Sequence, residues 1–398
     1  MVFVSVFVKT YQQSVISNQS SNMKIGILTL PLNTNYGGIL QAYALQTVLE
    51  RMGHEVKVID RKRTVKTTWK RDVVSYPYRA FKKFILNKKC KIRWEVSYRN
   101  EQSMQMSNIQ KFIDKNLHVF HVEDLEDIDE KQFDAIVVGS DQIWRKQYYC
   151  TSVNSDISTA FLSFTKRWSL KRIAFSASFG VDDWEYSVEE TKRCSEAANL
   201  FDSISVRELS AVMLCENHLH RKAVCTLDPT FLLSELDYVQ LLDKGNMNNE
   251  KRQKQLFVYV LDKTDEKNML VEKIAKDKDL KVSEFNTTSK DSECVKPCKT
   301  VESWIDGIRN SELIVTDSFH ACVFSIILHK PFLAVINNGR GASRFNTLIS
   351  LLGVGENIIS DTTMYDETKS YEVNDLAYNN LNILRTQSLD YIKNSLMK

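Results

Sequence analysis

Residues 24–60, KIGILTLPLNTNYGGILQAYALQTVLERMGHEVKVID, decide the fold. The run KIGILTL is apolar and of strand length, so it reads as a buried strand. A polar loop, PLNTNYGG, carries the chain into ILQAYALQTVLERMG, where Leu45, Val48, Leu49 and Met52 share one helical face. Gly53 ends the helix, because glycine accepts the left-handed backbone that terminates a helix. EVKVID is the next strand. Strand, helix and strand together make one β-α-β unit, which predicts a parallel sheet.

The same alternation runs outward from this unit. FDAIVVGS, RIAFSASF, SISVRE and AVCTLDPT read as further strands, with helices over 188–201 and in LSAVMLCENHL. A polar stretch at about 230–255 lacks strand character and marks a boundary. Beyond it a second set begins. LFVYVL, LKVSEFN, LIVTDS and PFLAVI are strands, interleaved with the helices EKNMLVEKIAKDK, VESWIDGIRNS, FHACVFSIILHK and SRFNTLISLLG. The expectation is an α/β chain of two Rossmann-like domains, 23–235 and 236–373, facing each other across an interdomain cleft. A C-terminal helix over 374–398 is placed to pack back on the first domain. Residues 1–22 precede the clean strand start and are read as a dispensable, disordered or non-native extension. Residues 61–115 interrupt the first domain as a basic helical insertion.

At 398 residues the chain is too long for one ordinary core, which agrees with two domains. Hydrophobic residues make up 43% and charged residues 26%, the balance of a soluble globular protein. A net charge of +3 does not mark a nucleic-acid binder. No apolar run approaches the length that spans a bilayer. The 8 cysteines are scattered and mostly inside apolar patterns, which suits thiols in a reducing cytoplasm rather than a disulfide framework. No clustered ligand set asks for a metal, and GxGxxG is absent, which argues against NAD or FAD.

In open α/β sheets ligands sit beyond the carboxyl ends of the strands, so the loops there select the candidates. Asn33-Thr34-Asn35-Tyr36-Gly37-Gly38 offers donors, acceptors and close backbone approach. Gly139-Ser140-Asp141-Gln142-Ile143-Trp144 places hydroxyl-binding side chains beside a ring that can stack on a sugar face. In both loops a helix cap or a plain turn would use the same residues. Ser176-Ala177-Ser178-Phe179-Gly180 supplies small residues after a strand. Arg207 follows SISV and can grip a phosphate or carboxylate at two points. Thr316-Asp317-Ser318-Phe319-His320 follows another strand, with Asp317 or Ser318 as helix cap and His320 in the first helical turn. His320 is the candidate general acid, and a hydrogen bond across the domain interface is its plainer use. Asn337-Asn338-Gly339-Arg340-Gly341 and Ser343-Arg344 add loop glycines and two arginines. The cations of residues 61–93, interleaved with aromatics, suit an anionic glycan or membrane surface, or a solvated helical face.

Taken in order, NTNYGGILQAYALQ, DAIVVGSDQIW, AFSASFG, ISVRE, LDPTFLL, VTDSFHACVFSIILHKPF and SRFNTLISLLG resemble the polysaccharide pyruvyl transferases, from Met23 to about residue 355. The resemblance implies a GT-B-like fold with an interdomain active site. It also implies phosphoenolpyruvate as co-substrate, no cofactor, and a hexose of a glycan or lipid-linked saccharide as acceptor. His320 and Arg207 would then be catalytic. Ser318, Phe319, Arg344 and Ser178 would bind the donor, and Asn35, Tyr36, Gly37, Asp141, Gln142 and Trp144 the acceptor. Better-studied members carry an arginine or similar residue before the leucine and histidine of the last motif, where this chain has Ser318-Phe319. The expected location is cytoplasmic, with residues 61–93 as a candidate peripheral contact with the inner face of the membrane. A glycosyltransferase using a nucleotide sugar, or a non-enzymatic glycan-binding protein, would suit the same architecture.

Overall fold

The computed structural model describes residues 22–61, 77–79, 81, 83, 85, 94–242, 254–285 and 296–397. Most of the basic stretch 62–93 and the first 21 residues therefore lie outside the described residues.

Two parallel sheets organise the chain. The first holds β1 (Lys24–Leu28), β2 (Glu55–Asp60), β3 (Val119–His121), β4 (Ala135–Gly139), β5 (Lys171–Ala177), β6 (Ser203–Val206) and β7 (Val224–Cys225), in the order β3-β2-β1-β4-β5-β6-β7. The second holds β8 (Gln255–Tyr259), β9 (Lys281–Glu284), β10 (Leu313–Thr316), β11 (Phe332–Val335) and β12 (Ile358–Ile359), in the order β12-β11-β10-β8-β9. Both are doubly wound, so the chain carries two Rossmann-like halves. The strand order reverses between β1 and β4 in the first sheet and between β8 and β10 in the second. Those are the two places where such sheets open a crevice.

The strands follow from composition. β4, AIVVG, and β10, LIVT, are buried along their whole length, as expected for parallel strands covered on both faces. The helices around them are α1 (Tyr36–Arg51), α2 (Trp94–Asn116), α3 (Lys146–Val153), α4 (Val188–Ala198), α5 (Leu209–Leu214), α6 (Glu235–Val239), α7 (Asp265–Asp277), α8 (Val301–Arg309), α9 (Phe319–Ile327), α10 (Ser343–Leu352) and α11 (Asp375–Met397). α4 begins with a full capping box, Ser187 with Glu190, and α7 with Thr264 accepting from the Lys267 amide. The last part of residues 61–115 is helical, in α2.

One apolar layer lies between the two sheets. It joins Ile27, Tyr36 and Leu45 of the first half to Phe257, Trp304 and Phe324 of the second, and takes in Leu381 and Ile392 of α11. α11 returns to the first sheet: Ser388 accepts the Leu227 amide at 3.1 Å and Arg385 donates to the Phe231 carbonyl at 2.6 Å. A second cluster covers the far face of the first sheet, around Trp144, Phe161 and Phe179, and a third the far face of the second.

Candidate active site

The carboxyl ends of β4, β5, β6 and β10 converge on a buried polar cluster. Arg207, one residue past β6, is 3% exposed. Its Nη1 donates to Asp228 Oδ2 at 2.8 Å, while Asp141 Oδ1 and Glu208 Oε1 each lie at 3.8 Å. Its Nε and Nη2 have no hydrogen-bond partner. Asp228 precedes the turn Pro229–Leu232 and also accepts from the Ser140 hydroxyl, the Thr230 hydroxyl and the Thr230 amide. Burial alone would raise its carboxyl. His320, Arg207 and Thr230 more than offset that and hold it far below the ordinary carboxylate range.

His320 lies in the first turn of α9, 6% exposed, with Nε2 at 3.7 Å from Asp228 Oδ2 and no hydrogen-bond partner of its own. The opposite edge of the ring lies on the first turn of α1. A side chain at Gly37 would overlap Cγ and Nδ1 of His320, so glycine there is what lets the imidazole lie flat against the helix. Phe319 is the hub of the cationic side. The Arg207 guanidinium is 4.9 Å and the Arg344 guanidinium 5.4 Å from its ring centroid, within cation–π range. Arg344, in the first turn of α10, is 6% exposed, donates to the Arg340 carbonyl and leaves Nε unpartnered. Burial, then the Arg207 charge, pushes it down to about 10, so it stays cationic at neutral pH.

The cluster unites His320, Arg207, Phe319, Arg344, Asp141 and Ser178. The Ser178 hydroxyl bonds Glu208, whose carboxyl burial pushes up although Arg207 and Ser178 pull it down. Asp141 adopts a left-handed backbone, φ 52°, which aspartate tolerates better than most residues, and accepts from the Asn35 carboxamide at 3.1 Å. Ser318 opens α9 without a side-chain cap bond.

Two aromatic assignments are corrected. Trp144 is 0% exposed: its indole stacks on Phe161 at 4.5 Å and donates to the Ala160 carbonyl, so its faces belong to the core. Tyr36 is also fully buried, stacked on Trp304 and donating to the Lys299 carbonyl at 2.8 Å. Neither ring is available to a sugar. Gln142 is committed too, accepting from Arg145 Nη1 at 3.0 Å. Gly37 seats His320. Asp317 does not cap α9; its carboxylate accepts the amides of Leu261 and Asp262 and pairs with Lys267 at 2.7 Å. Arg340 is held by two bonds to Asp262, at 2.7 and 2.9 Å.

Sequence reading missed Asp228, Glu208 and Arg145 as members of the site. Asp228 and Glu208 sit inside quoted motifs and Arg145 directly after one, and only the tertiary contacts show them turned inward. Among the described residues no group of three or more His, Cys, Asp or Glu could hold a metal ion. No helix among them is long and apolar enough to cross a membrane.

Fold and site together define an α/β protein of two Rossmann-like halves with a buried cluster of imidazole, guanidinium and carboxylate groups between them. The chain belongs to the polysaccharide pyruvyl transferase family, whose sequence profile matches residues 35–339. No curated protein matches it in sequence. Among solved structures it is similar to the UDP-GlcNAc 2-epimerase of Methanocaldococcus jannaschii, with 13% identity, TM-score 0.45, and coverage of 92% of this chain and 99% of that one. The UDP-GlcNAc 2-epimerase of Neisseria meningitidis bound to UDP-GlcNAc gives 12%, 0.43, 93% and 100%. The glycotransferase of kitacinnamycin gives 10%, 0.42, 95% and 100%.

Proposed function

We propose that the protein transfers the pyruvyl group of phosphoenolpyruvate to a hexose of a surface polysaccharide or its lipid-linked precursor, forming a cyclic ketal and releasing phosphate. The observation that carries this reading is the buried Nε2 of His320, 3.7 Å from Asp228 and without a hydrogen bond, next in sequence to Phe319, whose ring meets two guanidiniums. An enol phosphate needs an acid at its methylene carbon and cations for its two anionic groups. His320 gives its proton to that carbon, and C2 becomes electrophilic. One sugar hydroxyl adds at C2 and loses its proton. The bond from C2 to the phosphate oxygen then breaks, and phosphate leaves. A second hydroxyl adds and loses its proton, closing the ketal. Asp228 supplies the counter-charge when His320 carries its second proton. Arg207, fixed by Asp228, turns its free Nε and Nη2 to the donor, with Arg344 beside it. Asn35 and Asp141 stand on the first-sheet side for the acceptor hydroxyls.

Phosphate release with phosphoenolpyruvate and a panel of hexosides tests this reading. His320→Gln should keep much of the phosphoenolpyruvate affinity while turnover falls by roughly a hundredfold or more. Near-normal turnover removes the acid role. Absence of phosphoenolpyruvate binding by the unmodified protein, with or without acceptor, removes the donor.

A further inference from the structure

Arg145 and Arg344 are buried cations placed differently from Arg207. Arg207 has three carboxylates within 4 Å, as given above. Among the described residues Arg344 has no carboxylate at ion-pair distance, and the nearest to Arg145 is Glu185, 3.9 Å from Nε and 29% exposed. Arg145 is itself 6% exposed. Its Nη1 donates to neutral Gln142, its plane lies 4.5 Å over the Tyr148 ring, and Nε has no hydrogen-bond partner. Arg145 and Tyr148 belong to the first half and Arg344 to the second, on either side of the seam between them. The seam is tight there. Gln142 packs under Gly180, and the Gly180 carbonyl lies against Gly341, three residues before Arg344. Ser343, 3% exposed, adds a hydroxyl oxygen without a partner.

Burying a guanidinium with little counter-charge is costly, and its planar fork matches a phosphate at two points. From these two buried guanidiniums, each with an Nε that makes no hydrogen bond, we infer a phosphate-binding subsite made by Arg145 and Arg344, with Ser343 and Tyr148 at its edge. It rests on the proposed function only for the source of the phosphate. That source is either the group leaving phosphoenolpyruvate or a phosphate carried by the acceptor.

Calorimetric titration of the full-length protein with inorganic phosphate tests the site without turnover. Arg145→Gln and Arg344→Gln should each weaken phosphate binding by about tenfold or more, the usual consequence of losing a charge-assisted bond. Phosphate should raise the melting midpoint of the unmodified protein and do so much less in the variants. Their unliganded midpoints should be unchanged or higher, because a buried and weakly compensated charge is gone. Should Arg145→Gln fail to fold, Arg145→Lys keeps the charge without the fork and should still lose affinity several-fold. Lack of phosphate binding by the unmodified protein overturns the subsite. So does wild-type phosphate affinity in the variants, including variants that melt lower for want of a packing arginine. Repeating the titrations with phosphoenolpyruvate and with a hexose diphosphate shows which of them depends on Arg145. Arg145-dependent phosphate binding without pyruvyl transfer would keep the subsite and remove the proposed reaction; transfer with Arg145-independent phosphate binding would do the reverse.

Discussion

His320 is positioned by the side chain that Gly37 lacks. Gly37→Ala puts a methyl group into the imidazole, and neither α1 nor the ring can yield without disturbing Tyr36 or Asp228. Overpacking of this kind costs about 1–3 kcal/mol. Since the ring it displaces carries the proposed acid, turnover should fall by roughly a hundredfold, well beyond what the stability loss explains. A variant that melts lower but turns over normally would show that His320 tolerates displacement. Residue by residue, the sequence exposed His320, Arg207 and Asp141, because polar side chains just past buried strands have few places to go but the cleft. It misassigned Tyr36 and Trp144. An aromatic ring beside polar residues in a loop can turn to ligand or to core, and the partners that settle it, Trp304 and Phe161, are remote from one or hidden from both by sequence. Asp228 was hidden in the quoted LDPT because an aspartate before proline is also an ordinary turn residue.

Among the elements, α11 reaches furthest into the site without contributing to it. Ser388 accepts the amide of Leu227, the neighbour of Asp228, and Arg385 holds the carbonyl of Phe231 on the turn that follows. Ser388→Ala leaves a buried amide without its acceptor and should cost about 1 kcal/mol. The strain falls on the residue that both Arg207 and His320 share, so turnover should drop a few-fold in parallel. Phosphate release and thermal melting on the same variant check this; lowered stability with unchanged turnover would limit α11 to packing. The succession of strands and helices was readable from alternating apolar runs and amphipathic stretches. Their lengths were less so at the edge of the first sheet. There AVCTLDPT yields only two strand residues, and the helix in LSAVMLCENHL gives way after Leu214 to the wider turn Cys215–Leu219. An edge strand pairs on one side, so burial constrains it less and the pattern is correspondingly faint.

Over the whole molecule, the two halves are joined on one side by apolar packing and meet at the site through polar groups. Tyr36 on Trp304 belongs to the first kind of contact and His320 on Asp228 to the second. That two α/β halves exist is written in the alternation of the sequence; which faces they turn to each other is not, because helix periodicity marks a buried face without naming what covers it. At the polar side the halves come together through Gly341, whose φ of 103° suits glycine and whose missing side chain admits the Gly180 carbonyl. Gly341→Ala therefore faces two obstacles, a strained backbone and a collision with main chain from the other half. Gly353 separates them: its φ of 76° is also left-handed, yet a side chain there meets nothing within 4 Å. Gly353→Ala should cost only the backbone strain, about 1 kcal/mol, and leave turnover intact. Gly341→Ala should cost more and push apart the loops carrying Ser178, Arg340 and Arg344. A displacement of about 1 Å at such a site is enough for a loss of roughly a hundredfold in turnover. Phosphate release and melting measured on both variants decide the matter, and equal turnover in the two would mean that the closeness of the halves at this seam plays no part in the chemistry.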